Sequence, residues 1–274
     1  QSRHHKESVD IRISDRTITE SGEAETLNSD NILKGENLHV SPGWVDMGTH
    51  PCDPGHEHKE SLEALAKAAS FGGFTDVLCY PNTQPAVDDA SSIKALMSRA
   101  EALPSQLHFM GALTPGAKEN DLAELYDMHQ TGAKAFYDGR RHVQSSSLII
   151  RSLQYMQAFS GLLLLYPDDD DLTRGAQMNE GEESVYLGMK GAPVLAETSA
   201  VARMLDLHAY AGGRLHFQPM TAASAIDAIA NCNGSIVPIL TTYDNNYDHS
   251  ISEITYHGNE GHDIYSWMLQ QVKK

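Results

Sequence analysis

The first chemical signals in this sequence come from its histidines and carboxylates. His56 and His58 form a His-x-His pair. Alternate positions of an extended strand project to the same side, so such a pair can chelate a divalent metal. His50 precedes it, two residues before Cys52. A thiol beside an imidazole suggests a nucleophile, but that chemistry needs a lowered thiol pKa and a third, orienting group, which the sequence does not supply. Asp168 to Asp171 is a run of four carboxylates, suited to weak Ca²⁺ binding or, more plainly, to a solvated loop. His4 and His5 read as a surface pair or a tag remnant. Scattered surface and core imidazoles account for most of the fourteen histidines, and His58 beside Lys59 and Glu60 fits a helix start better than a ligand.

Positioning such residues requires elements, and the pattern is strand, turn, helix, repeated. Leu38 to Met47 is predicted as a strand, followed by a helix with Leu62, Leu65, Ala66 and Ala69 on one face. Phe74 to Tyr80 is the next apolar run, and the helix after it aligns Ile93, Leu96, Met97 and Ala100. Further predicted strands are Leu107 to Leu113, Ala133 to Tyr137, Leu162 to Tyr166, Arg214 to Gln218 and Ile236 to Leu240. Helices are predicted at Ser199 to Tyr210 and Ala222 to Ala230. Gly72-Gly73, Gly132 and Gly212-Gly213 stand just ahead of strands, where helix ends call for a left-handed residue. Alternating strands and helices without a glycine-rich phosphate fingerprint predict an α/β protein, a TIM-type (β/α)8 barrel.

The two ends read differently. Val9 to Ile13 and Arg16 to Thr19 alternate like antiparallel strands around Ser14-Asp15, so residues 1–38 are predicted as a small β subdomain and residues 39–274 as the barrel. After Thr242 periodicity fades through Tyr243 to Gly261, before a short apolar helix at Ile264 to Val272. No eighth strand is visible. Either the barrel is incomplete or residues between Tyr243 and Gly261 are missing from the chain as read. The second reading is preferred, because a barrel lacking a strand exposes two unpaired edges.

Composition narrows the function classes. The 274 residues leave room for a substantial core, and 41% are hydrophobic. No apolar run approaches the roughly 18 residues of a membrane span. A net charge of −17 weighs against nucleic acid and anionic membranes as partners. Three cysteines, Cys52, Cys79 and Cys232, are odd in number and widely spaced, which fits a reducing, cytoplasmic setting. No secretory signal opens the chain, and a start at Gln1 implies that the true start has been lost.

An opening signature and six ordered landmarks downstream of it resemble the dihydroorotase family of the amidohydrolase superfamily. Ser41-Pro-Gly-Trp-Val-Asp-Met-Gly-Thr-His50-Pro-Cys-Asp-Pro-Gly55 follows the first predicted strand, and Glu57-His-Lys-Glu60 comes next. Ala68-Ala-Ser-Phe-Gly-Gly-Phe-Thr75 and Tyr80-Pro-Asn-Thr-Gln-Pro85 follow. Gly132-Ala-Lys-Ala-Phe-Tyr-Asp138, Gly191-Ala-Pro-Val-Leu-Ala-Glu197 and Gly213-Arg-Leu-His-Phe-Gln-Pro-Met-Thr-Ala222 complete the series.

The resemblance implies a zinc site whose ligands are mostly replaced here. Gly48 stands at the first His of the strand-one His-x-His, and His50 at the second. Asp138 matches the carboxylate that can bridge metals after strand four, with Tyr137 where a carbamylated lysine would fall. Tyr166 and Pro219 stand at the strand-five and strand-six histidines, His216 lies three residues before Pro219, and the strand-eight aspartate has no counterpart. Asn82 matches the family's substrate-binding asparagine, while Cys52 replaces its arginine. A thiol cannot make the bidentate, charge-assisted contact of a guanidinium. His50 and Asp138 are thus vestigial ligand candidates: His50 reads first as a leftover packed into a strand end, and Asp138 equally as a cation ligand or a helix cap.

What the resemblance implies about function is a non-catalytic dihydroorotase homologue of pyrimidine biosynthesis, without metal. Such homologues serve as structural partners of aspartate carbamoyltransferase, and self-association is expected as well. Two other readings remain: an active cyclic amidohydrolase with a rebuilt zinc site, and a small-metabolite binding module.

Overall fold

The computed structural model describes residues 9–14, 17–22, 32–34, 39–118 and 121–232. They fall into two units divided between Pro42 and Gly43. The first holds a hairpin of β1 (Asp10–Ser14) and β2 (Thr17–Gly22), antiparallel, with Arg12 facing Glu20 across it at 2.6 Å. This is the pairing that the alternation in the sequence predicts. The predicted strand at Ile236 to Leu240, the helix at Ile264 to Val272 and the pair His4-His5 lie outside the described residues.

The second unit is built on parallel strands. β3 (Trp44–Thr49), β4 (Phe74–Cys79) and β5 (Gln106–Phe109) lie side by side in chain order. Beyond β5, Phe136 bridges both Gly111 and Leu163, which joins this sheet to β6 (Leu162–Leu165) and β9 (Arg214–Phe217). Six extended segments therefore run parallel, each beside its successor among them.

Helices link these segments: α1 (Leu62–Phe71), α2 (Ala90–Ala100), α3 (Leu125–Thr131), α4 (Ser146–Met156), α7 (Val194–Ala211) and, after β9, α8 (Ala223–Ala230). Their starts are set by side chains that accept orphan backbone N–H groups. Ser61 accepts from Ala64, Asp89 from Ser92 and Ser145 from Leu148. Gly73, Gly132 and Gly212 take positive φ at the helix-to-strand turns, as their placement predicts.

Period-two alternation separates the two faces of the sheet. Val77, Cys79, Phe109, Leu163 and Leu165 join Leu62, Ile93, Leu148, Ile149 and Met204 in the larger core, under the helices. Leu78, Met110, Ala135, Tyr137 and Leu164 form a second cluster, with Tyr80 and Tyr166 packed on it. Burial of the Cys79 thiol pushes its pKa up to about 12, leaving it inert.

Several predicted bounds are corrected. The strand predicted from Leu38 begins at Trp44, because Pro42 has no N–H to give to a ladder and Trp44 N–H is the first to bond across, to Gly73 O at 2.9 Å. The strand predicted from Leu107 to Leu113 stops at Phe109, and Leu113 N–H goes to the Asp138 carboxylate instead of a neighbouring strand. Ala133 to Tyr137 forms no named strand: it pairs through isolated bridges centred on Phe136, with Lys134 N–H also bonded to Phe109 O at 3.0 Å. The helix predicted from Ser199 starts at Val194. Between β6 and α7 lie α5 (Asp170–Thr173), β7 (Met178–Asn179), α6 (Glu182–Tyr186) and β8 (Gly191–Ala192), which the periodicity does not reveal. Among the described residues, no helix is long and apolar enough to cross a membrane.

Candidate functional site

Parallel strands carry the residues that follow them to one end of the sheet, and there the chemistry-bearing positions gather. Gly48 lies near the end of β3, Tyr80 follows β4, Tyr137 follows the bridge at Phe136, Tyr166 follows β6 and Gln218 follows β9.

A hydrogen-bonded plug centred on Gln218 occupies this end. Its amide Nε2 donates to Tyr80 Oη at 2.6 Å and to Met47 O at 3.4 Å, so a side chain from β9 reaches the backbone of β3. The amide oxygen accepts from His216 Nε2 at 3.2 Å, and Tyr137 Oη donates to Gln218 O at 3.1 Å. The Tyr80 and Tyr137 rings stand 5.2 Å apart, tilted by 57°. Desolvation raises the pKa of the Tyr137 and Tyr166 phenols and lowers that of His216, so all three are neutral near pH 7.

Gly48 makes the plug possible. A Cβ there would stand 2.2 Å from Gln218 Nε2 and 2.4 Å from Tyr80 Oη. The space that any side chain at position 48 would enter is already filled.

The residues present do not fit a zinc ion. Gly48 has no side-chain donor, Pro219 has none, and Tyr166 is a neutral phenol. His50 is exposed, and its Nδ1 accepts from Cys52 N–H at 3.2 Å. Asp138 is buried with both carboxylate oxygens engaged. One accepts from Leu113 N–H at 2.8 Å and Thr114 N–H at 3.0 Å, the other from Thr114 Oγ1 at 2.6 Å. Burial raises its pKa, and the Thr114 and Leu113 hydrogen bonds oppose the rise. The His56 and His58 rings meet edge to face at 6.0 Å. Among the described residues, no three His, Cys, Asp or Glu side chains converge on a point.

The sequence-matched substrate residues are not brought together. Asn82 borders a cleft of about 310 Å³ with Thr83, Gly116, Asp138, Arg140 and Arg141. Cys52, held at φ 57°, does not line it. Gly139 lets the Asn82 amide lie against the backbone, since a Cβ there would be 2.9 Å from Asn82 Cγ. Gln218, Tyr80, Arg140, Arg141 and His142 are the residues that sequence reasoning missed. The signal for the first two was available, because each is the last residue of a predicted strand, Phe74 to Tyr80 and Arg214 to Gln218.

A second anchor holds the loop before β3's helix. Arg99 on α2 grips the buried Asp53 with two hydrogen bonds, 2.8 and 2.6 Å, and its guanidinium holds that carboxyl below the usual range.

Parallel strands linked by helices, with the site residues at the strands' C-terminal ends, define a protein of the α/β class. The dihydro-orotase-like family matches residues 38–224, and the chain belongs to that family. It is 34% identical over 224 residues to a dihydroorotase of Acetivibrio thermocellus, covering 81% of this chain and 53% of that protein. It is 36% identical over 200 residues to a dihydroorotase of Desulfotalea psychrophila, covering 73% and 48%. The chain thus spans about half the length of the curated relatives it matches.

The solved structures agree in fold. L-hydantoinase from Arthrobacter aurescens superposes with a TM-score of 0.62 at 19% identity, over 82% of this chain and 52% of that one. The Saccharomyces cerevisiae dihydroorotase in complex with 5-fluoroorotic acid does so at 0.52 and 15%, over 71% and 52%.

Proposed function

We propose that this chain is a dihydroorotase-family protein of pyrimidine biosynthesis that has lost cyclic-amide hydrolysis and acts as a structural partner of aspartate carbamoyltransferase. The six described parallel segments are read as part of a complete (β/α)8 barrel. One observation carries the loss of chemistry: Gln218, Tyr80 and Tyr137 fill the mouth beside Gly48, where the family places its metal. Activation of water by bound zinc lowers its pKa from about 15.7 to about 7. Without that ion no group at this mouth generates hydroxide near neutrality. A barrel that keeps its packing landmarks while losing its ligands retains a shape that a partner can read.

The test pairs two measurements on the purified chain. Dihydroorotate hydrolysis should stay at the buffer rate with and without added zinc. Mixing with the cognate aspartate carbamoyltransferase should give a co-eluting complex and raise that enzyme's melting temperature, since a partner that binds only the folded form stabilises it by mass action. Zinc-dependent turnover would overturn the loss of chemistry. Separate elution with an unchanged melting temperature would overturn the partnership.

A further inference from the structure

We infer that the loops after β5 and after Phe136 form a binding site for a small oxyanion, a metabolite bearing a carboxylate or phosphate, beside the plugged mouth. Two adjoining clefts, about 310 and 240 Å³, share Ala117, Asp138 and Arg141 as walls. Arg140 borders the first, Lys118 borders the second, and Arg141 borders both. Three cations along two adjoining clefts stand out in a chain of net charge −17. Guanidinium groups match carboxylate and phosphate oxygens with two parallel N–H donors.

The recess is held in shape before any ligand arrives. Arg141 Nη1 donates to Ala117 O at 3.0 Å, and Asp88 accepts from Gly116 N–H at 2.7 Å. Asp138 also lines both clefts, but its carboxylate is spent on the Leu113 and Thr114 donors. Asp170 is the other carboxylate on the wall, in the second cleft.

His142 supplies an independent observation. It borders the second cleft, is 6% exposed, and its Nε2 lies 3.1 Å from Arg203 Nη2. A guanidinium can only donate, so Nε2 must accept and the imidazole proton sits on Nδ1. That Nδ1 is buried without a hydrogen-bond partner. Buried donors in native proteins are nearly always satisfied, and an oxygen of a bound anion would satisfy this one. The first cleft therefore offers two guanidiniums, and the second a guanidinium, an ammonium and one neutral N–H. None of these groups sits at Gly48, Cys52, Tyr166 or Pro219, although Asn82 and Asp138, which match the family's site, share the wall of the first cleft.

The experiment is calorimetric titration of the purified chain with inorganic phosphate and, separately, with succinate, both at fixed ionic strength. Saturable binding of either is expected, and the stronger ligand identifies the preferred oxyanion. Arg140→Ala should weaken that binding about tenfold or more. Its side chain makes no hydrogen bond to the described residues, so the fold should survive, as circular dichroism would confirm. His142→Leu should weaken binding by a smaller factor through loss of the Nδ1 donor. Absence of saturation with both anions, or unchanged affinity in a folded Arg140→Ala, would overturn the site.

Discussion

Gly48 illustrates how one missing side chain can redirect a site. With hydrogen in place of Cβ, Gln218 Nε2 reaches both Tyr80 Oη and Met47 O, and the strand-end polar groups satisfy one another. A connected, part-buried network of this kind is sensitive to any added volume. Gly48→Ala is therefore expected to destabilise the fold by about 1–3 kcal/mol, read from urea melts. In a Tyr80→Leu background the same change should cost less, with a coupling of about 1 kcal/mol, because the two positions compete for the same space. Strict additivity would show that the plug is loose. It also follows that restoring a ligand as Gly48→His cannot rebuild a metal site unless Tyr80 and Gln218 are cut back together.

Two elements depend on single carboxylates. Glu197, in the first turn of α7, accepts from Thr221 N–H, Thr221 Oγ1 and Ala222 N–H at 2.7–3.0 Å, and so holds the start of α8. Two landmarks far apart in sequence, one ending at Glu197 and the other at Ala222, meet in this clamp. Glu197→Ala should lower stability by about 1–2 kcal/mol, and amide exchange should quicken in α8 before it does in α4. Uniform acceleration would count against a local clamp. The Asp53–Arg99 pair ties the β3–α1 loop to α2, with Asp53 buried and the Arg99 side chain 46% exposed. Asp53→Asn should cost about 1–3 kcal/mol at pH 7, less than a fully buried pair because water screens one partner. Arg99 holds the folded Asp53 pKa below its unfolded value of about 3.9. Its contribution is thus complete above that value and is lost as pH falls through the lower folded one. Wild type minus variant stability should stay flat above about pH 5 and narrow below about pH 4. A difference unchanged down to pH 3 would show that the charge of Asp53 is immaterial.

For the whole molecule, the expectation is a metal-poor chain that associates. After dialysis against a mild chelator, elemental analysis should find well under one zinc per chain. One or two retained equivalents would mean that ligands outside the described residues complete a site. Static light scattering should give a mass above 30.0 kDa, since the proposed structural role calls for an interface of at least about 1,200 Å² in total. A mass of one chain at all concentrations would remove self-association from the account.

The sequence alone carried the family, the parallel strand–helix order, the hairpin and the identities of Gly48, Tyr166 and Pro219 at the positions where the resemblance implies ligands. These follow from local periodicity, turn chemistry and residue identity, which need no knowledge of distant contacts. It did not carry the short pairing at Phe136 or the segment from α5 to β8, whose two-residue strands are too brief for any period to show. Nor could it say which side chains fill the strand ends beside Gly48. Gln218 and Met47 are 171 positions apart, as are no two residues that a local pattern compares, and Asp138 meets Thr114 across 24. Only the folded sheet brings successive strand ends to one mouth. There, steric exclusion at Gly48 and the need to satisfy buried polar groups decide which side chains fill the space.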